Sequence, residues 1–277
     1  MHVSTAGDGK DLLLVHGLGS HSHTWRLIAP ALERERRLIM VDLPGHGRTP
    51  AEEDSATFAG QARSLAEFLR AEKLERVDMV GSSLGGQLVL EMARRGLAGS
   101  VVALSPGGFW MGWERFYTES SLLFSSRLLR TLAPGLPILS ANPAMRSALL
   151  AQLAAHPWNL PADLVAEELE SYSRTEIFEL LAINLAHGPQ QQGPGAPSTG
   201  RVTIGWGRQD RLLLPQQAER AVAAFPGSRL VWLEWCGHFP LWERPDETVK
   251  LILETVGPRL QLAAVSSASR GGGASLG

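Results

Sequence analysis

The chain has 277 residues, 44% of them hydrophobic, and its 26 basic and 28 acidic side chains leave a net charge of -2. That length can bury one sizeable core, alone or with a substantial insertion. The near-neutral balance, without a long basic run, argues against a nucleic-acid footprint or a polybasic membrane anchor and for a small, largely uncharged partner. The single cysteine, Cys236, rules out an intramolecular disulfide framework. With neither a basic-then-apolar leader nor an apolar run of about 18 residues, the expected location is cytoplasmic, without stable membrane insertion.

In chain order, "MHVST" leaves room for one short edge strand and hardly for two. "DLLLVHG" at 11–17 and "RRLIMVDLPGHG" at 36–47 are apolar runs ending in glycine, the pattern of buried strands running into turns. A helix is expected over 25–34 between them. Phe58, Ala62, Leu65 and Leu69 then recur at helical spacing, and 77–80 forms another short apolar strand. Leu84, Leu88 and Met92 share one helical face, and 101–104 supplies the next strand. Strands alternating with helices predict a largely parallel sheet with right-handed crossovers.

From about 107 to 200 the pattern breaks. Helix formers and long apolar side chains fill 114–133, 142–154 and 161–187, which are expected to be helical and to pack over one end of the sheet as a lid. "GPQQQGPGAPSTG" at 188–200 reads as a polar, flexible return. "RVTIGWG" and "SRLVWLEW" restore the strand pattern around a helix at 218–225, and Val249, Ile252, Leu253 and Val256 mark a final amphipathic helix. The expected organisation is therefore an α/β core at 1–106 and 201–262, built on a mostly parallel sheet of about seven strands flanked by helices. A helical cap would occupy 107–200, and a disordered tail 263–277.

"VGSSLGG" at 80–86 puts a G-x-S-x-G pentapeptide between a strand and a helix, with Ser83 at its centre. Gly81 and Gly85 allow the backbone to approach closely while the Ser83 hydroxyl projects above the sheet. A plain helix N-cap is the competing role for this serine. A serine hydroxyl becomes a nucleophile when an imidazole takes its proton and a third group fixes the imidazole tautomer. Asp210, in "GWGRQD", and His238, in "EWCGHFP", each follow a strand, giving the chain order Ser83, Asp210, His238. Asp42 also follows a strand, but "DLPGHG" looks like a tight structural turn.

"HGLG" after the first strong strand can aim a backbone N–H at a developing oxyanion, and the residue after the nucleophile can supply a second. That selects the amides of Leu18 and Leu84, with Gly17 and Gly19 making the turn. Neither loop carries the Lys-Ser or Lys-Thr ending of a phosphate cradle. His16, His21, His23 and His46 raise the question of a metal, but no H-E-x-x-H pattern is present. No metal and no cofactor is expected. His16 and His46 are expected to make structural hydrogen bonds, and His21 and His23 to line the entrance.

"HGLG", "DLPGHG", "GSSLGG", "GRQD" and "CGHFPLWERPDE", in this order, resemble the α/β-hydrolase superfamily over nearly the whole chain. The resemblance implies the α/β-hydrolase fold, a Ser-His-Asp triad and a helical cap inserted near Gly107. "SPGGFW" and "IGWGRQDRLLLP" look like meta-cleavage-product hydrolases, which cut carbon–carbon bonds. Those enzymes commonly have asparagine before the nucleophile, where this chain has Ser82, and a cap arginine in the helix that follows the aligned "LVAEELESYSRT" region, a stretch that here carries Glu167, Glu168 and Glu170. Arg174 is the substitute to examine. Epoxide hydrolases and haloalkane dehalogenases share the fold but use an aspartate nucleophile.

The expected activity is hydrolysis of a small to medium hydrophobic ester through an acyl-enzyme on Ser83. Carbon–carbon bond hydrolysis, lactonase or amidase activity, and non-catalytic binding of a small molecule are the alternatives; a monomer or homodimer is expected. Candidate pocket-lining residues are His21, Trp110, Trp113, Phe116, Trp158 and Trp242. Phe109, Tyr117, Leu122, Leu123 and Phe124 offer further apolar surface.

Overall fold

Parallel strands covered by helices on both faces are built from near-continuous apolar runs, because alternate side chains enter opposite cores. The computed structural model, which describes residues 1–193 and 200–257, follows that rule. The expected tail at 263–277 and positions 194–199 of the expected flexible return lie outside the described residues.

The first half runs β1 (His2–Ala6), β2 (Asp11–Val15), α1 (Ala29–Leu32), β3 (Arg37–Asp42), α2 (Phe58–Ala71), β4 (Val77–Ser82), α3 (Leu84–Arg94) and β5 (Ala98–Leu104). Five helices follow: α4 (Trp113–Leu132), α5 (Leu136–Ala141), α6 (Pro143–Leu149), α7 (Ala162–Arg174) and α8 (Phe178–His187). The chain then re-enters the sheet as β6 (Val202–Gly207), α9 (Gln216–Ala224), β7 (Arg229–Leu233), α10 (Pro240–Glu243) and α11 (Pro245–Val256). No helix of the described residues is long and apolar enough to cross a membrane.

The seven strands lie in the order β1-β3-β2-β4-β5-β6-β7. Only β1 runs antiparallel, pairing His2 with Asp42 and Ala6 with Leu38, so residues 2–5 of "MHVST" lie in the expected edge strand. The β2–β3, β2–β4, β4–β5, β5–β6 and β6–β7 pairs are parallel. Leu13, Val15, Met79, Val101 and Ala103 pack with Leu65, Leu69, Leu88 and Met92 in one core. Leu12, Leu14, Val80, Val102 and Leu104 pack with Trp25, Ile252 and Val256 in the other. From β2 the chain moves to β3 on one side, and β4 returns to the opposite side of β2. The loops leaving β2 and β4 therefore diverge, which opens a crevice at the carboxyl ends of these strands.

Several helices differ from the sequence expectation for local reasons. The span 25–34 is a 3₁₀ turn, Ser22–Leu27, followed by the short α1. Pro30 cannot donate the N–H that a continuous helix would need there. In the insertion, α5 (Leu136–Ala141) fills the gap between the expected helices over 114–133 and 142–154. The second of these starts as expected, with Asn142 Oδ1 accepting the Ala144 and Met145 N–H groups at 2.9 and 3.2 Å, but ends at Leu149. The expected helix over 161–187 breaks at Thr175, whose backbone is extended.

Candidate active site

The β4–α3 turn gives Ser83 a backbone of φ 55° and ψ −115°, a conformation that a side chain with a Cβ adopts at a cost. Glycines make the turn feasible: a Cβ on Gly81 would overlap the Gly85 carbonyl, and one on Gly85 would overlap the Val15 carbonyl. Gly17 faces the same spot, where a Cβ would come 3.1 Å from Ser83 Cβ. Ser83 opens α3 by position but makes no side-chain capping bond, so its hydroxyl is not used as an N-cap. The adjacent Ser82 is buried.

Asp210 and His238 meet across the β6 and β7 loops, with His238 Nδ1 and Asp210 Oδ2 2.8 Å apart and both side chains essentially inaccessible to water. Asp210 Oδ1 accepts the Leu212 and Leu213 N–H groups, each at 2.9 Å, which fixes the carboxylate plane. The His238 loop is held as firmly. His238 N–H donates to the Leu153 carbonyl at 2.8 Å, and Gly237 N–H donates to Glu243 Oε1 at 2.7 Å. Glu243 also accepts the Ala155 and His156 N–H groups at 2.7 and 3.0 Å. Sequence reasoning missed Glu243, although it stands inside "CGHFPLWERPDE"; a charged residue flanked by Trp242 and Arg244 gave no sign that it would be turned inward.

Ser83 and His238 line one cavity of about 290 Å³, together with Gly17, Leu18 and Leu84. Neither Ser83 Oγ nor His238 Nε2 has a hydrogen-bond partner among the described residues, so both are left for whatever enters. The Leu84 N–H, first in α3, and the Leu18 N–H also donate to no described residue. His16 lies beside this loop. Its Nδ1 donates to the Gly17 carbonyl at 2.7 Å and its Nε2 accepts the Leu43 N–H at 2.9 Å. Burial, reinforced by His46, lowers the His16 pKa to about 3, so the ring is neutral and both nitrogens have fixed roles. His46 Nδ1 donates to the Pro44 carbonyl at 3.0 Å, and burial lowers its pKa to about 4. Asp42 accepts the Ser22 and Arg48 N–H groups at 2.7 and 2.9 Å, the work of a turn-forming acid.

The inserted segment supplies most of the remaining cavity wall through Leu122, Leu129, Leu149, Leu169, Tyr172, Phe178, Ala182 and Leu185, with Thr118, Ser121, Ser125, Ser126 and Gln152 as neutral polar groups, and Gln87, Leu212, Leu213 and Phe239 line it from the core. No Asp, Glu, Lys or Arg is among the described residues that line it. Of the six candidate wall residues, Trp110 lies on this cavity. The other five need correction. Trp113 and Phe116, at 66% and 72% exposure, sit on the outer face of α4. Trp158 is half exposed and packs edge-on against His156 at 5.2 Å. Trp242 is buried against Phe239 with its Nε1 bonded to Thr24, which makes it a core residue. His21 lines a separate polar cleft with Asp42, Glu167 and Arg174. Phe124 and Leu122 do reach the cavity of Ser83 and His238, whereas Tyr117 is held by its hydroxyl to the Arg211 carbonyl at 2.7 Å.

Glu168, on α7, is buried beneath the loop that follows β2 and accepts the Ser20 hydroxyl at 2.8 Å. Burial raises its pKa to about 8 against the opposing hydroxyls of Ser20 and Thr24.

A profile of the alpha/beta hydrolase family matches residues 12–251. An uncharacterised protein of Mycobacterium tuberculosis is 28% identical over 97% of this chain and 83% of its own length. Monoacylglycerol lipase ABHD6 of Homo sapiens is 23% identical over 90% of this chain and 75% of its own. Among solved structures, a thermophilic esterase from Thermogutta terrifontis superposes with a TM-score of 0.72 at 21% identity, covering 91% of each chain. At that identity the likeness carries the fold alone.

Proposed function

The chain belongs to the alpha/beta hydrolase family, and from that premise we propose that it is a serine carboxylesterase acting on small to medium hydrophobic esters. The observation that carries this reading is the strained Ser83 just past the end of β4, on a cavity it shares with an imidazole already bound to a buried carboxylate. Ser83 Oγ attacks the ester carbonyl carbon while His238 Nε2 takes its proton, and Asp210 keeps the imidazole in the required tautomer. The new oxyanion accepts hydrogen bonds from the Leu18 and Leu84 N–H groups. The carbon–oxygen bond to the alcohol then breaks, and His238 returns the proton to the departing oxygen. Water, deprotonated by His238, attacks the acyl-enzyme and releases the acid and the free serine.

Substrate class follows from the wall. A cavity of about 290 Å³ without a formal carboxylate or cation suits a neutral apolar acyl or alcohol group. It does not suit a dianionic carbon–carbon hydrolase substrate. Arg174 is exposed, pairs with Glu170 and faces the polar cleft instead. The helices at 113–187 act as the cap that sets chain-length preference.

The test is a panel of p-nitrophenyl esters of increasing acyl length, with lactones and amides alongside, run on the wild type and on Ser83→Ala. Turnover falling by about 10⁴-fold or more in the variant, with fluorophosphonate labelling lost and the fold retained, is the expected result. Equal labelling of Ser83→Ala would remove Ser83 as the nucleophile.

A further inference from the structure

The β2–α1 loop is gripped from two sides. A peptide group is planar and trans, so the Gly17 carbonyl and the Leu18 N–H point in opposite directions from one rigid plate. Whatever holds the carbonyl aims the N–H. On the core side His16 Nδ1 donates to Gly17 O at 2.7 Å, and the Ser20 N–H reaches the same oxygen at 3.3 Å. The aim of the Leu18 amide therefore depends on where Gly19 and Ser20 are held.

Those two residues are held by the insertion. Ser171 Oγ donates to the Gly19 carbonyl at 2.6 Å, Thr175 Oγ1 lies 3.3 Å from the same oxygen, and Ser20 Oγ donates to Glu168 Oε2 at 2.8 Å. Positions 168, 171 and 175 fall on one stripe of a helical path, and Thr175, just past α7, keeps that stripe through its bond to the Ser171 carbonyl at 2.9 Å. Gly19 adopts φ +77° against Tyr172 and Phe178, where a Cβ would come within 2.6–2.7 Å of ring carbons. The loop can thus lie close under α7 with its carbonyl turned to the helix.

We infer that Ser171, seconded by Thr175 and Glu168, is a positioning residue for catalysis: by fixing the Gly19 carbonyl and Ser20 it holds the Leu18 N–H on the oxyanion. The inference rests on the serine-hydrolase reading above. It makes the inserted helix α7 part of the rate-determining geometry as well as a wall for substrate. A helix that merely docked on the core would act on stability or on substrate binding, and leave the turnover of bound ester alone.

The experiment compares wild type, Ser171→Ala, Ser171→Thr and Ser171→Ala/Thr175→Ala on one p-nitrophenyl ester, with thermal unfolding and the rate of fluorophosphonate labelling measured in parallel. Ser171→Ala should lower kcat about tenfold and the double variant about 10²-fold, approaching the loss of one oxyanion donor, with KM within about twofold. Labelling should slow in step, because the phosphonyl oxygen uses the same donors. Ser171→Thr, which restores a hydroxyl, should recover most of the kcat. An unchanged kcat with raised KM, or a loss that Ser171→Thr fails to recover although that variant is folded, would overturn the inference while leaving Ser83 as nucleophile. A wild type that neither hydrolyses an ester nor takes up the label would overturn the hydrolase reading and this inference together.

Discussion

The sheet side and the helical side of the cavity that Ser83 shares with His238 are specified by different physics. On the sheet side, Ser83, Asp210 and His238 stand just past the ends of β4, β6 and β7, each fixed by backbone hydrogen bonds: Ser83 N–H donates to the Leu104 carbonyl, Asp210 Oδ1 accepts the Leu212 and Leu213 N–H groups, and His238 N–H donates to the Leu153 carbonyl. On the helical side, Leu122, Leu129, Leu149, Phe178 and Ala182 enclose space by packing, and their identity matters through volume more than through bond direction. The contrast teaches that a reacting group depends on angles, whereas the wall opposite it depends on how a helix is rotated. Substitutions on the two sides should accordingly fail in different ways.

Asp210→Asn gives the largest expected effect and sharpens the comparison. Because Leu212 and Leu213 hold Oδ1, an asparagine would keep its oxygen toward them and turn its NH₂ toward His238 Nδ1. Nδ1 would then have to accept, leaving Nε2 protonated and unable to take the serine proton. Single-turnover assays should give a drop of about 10⁴-fold with the fold intact.

Glu168 blurs the boundary, since it carries a titrating group from the helical side beneath a core loop. Its folded pKa of about 8 lies above the ordinary 4.5. Below that ordinary value both states are protonated and the contribution is complete. As pH rises toward 8 only the unfolded chain releases the proton, so stability falls by about 1.4 kcal/mol per pH unit from this group. Urea unfolding of wild type and Glu168→Gln at about pH 6 and about pH 8 should find the wild type losing more stability between the two.

Ala182→Leu tests the wall itself. Added bulk on α8 should cut kcat/KM for the longest acyl chain accepted by about tenfold relative to acetate, as a few methylenes' worth of lost space would. A uniform loss across the series would mean that the helical side does more than fill volume. Smallest of all, Trp113→Ala and Phe116→Ala should leave kcat/KM within about twofold, because both rings face outward.

The same contrast explains what could be read from the sequence. Buried parallel strands need apolar runs and a tight strand-to-helix turn needs glycine, so the α/β core and the meeting of Asp210 with His238 were legible from residue type and order. The wall was not. Helix formers and long apolar side chains located α4, but the rotation of its aromatic residues depends on α7 and α8 packed against it, and Trp113 and Phe116 turned out while Leu122 turned in. Trp242 lies in the core and not on the wall because an indole following "GHFP" suits either place, and in the core Thr24 satisfies its N–H. Glu168 and Ser171 belong to contacts with partners far away in the chain, and no local pattern announces such a contact. The break at Pro30 and the start of α6 at Asn142–Pro143 carried local signals; the extended Thr175 did not.

The backbone angle at Ser83 has one more implication. A residue of this shape is held in that corner at a cost of about 1–3 kcal/mol, which a glycine would largely avoid. With Ser83 as the proposed nucleophile, tolerance to heat and the capacity to react pull in opposite directions at a single position. Selection of variants for thermal endurance alone should then drift toward chains that endure better and have lost the proposed ester turnover.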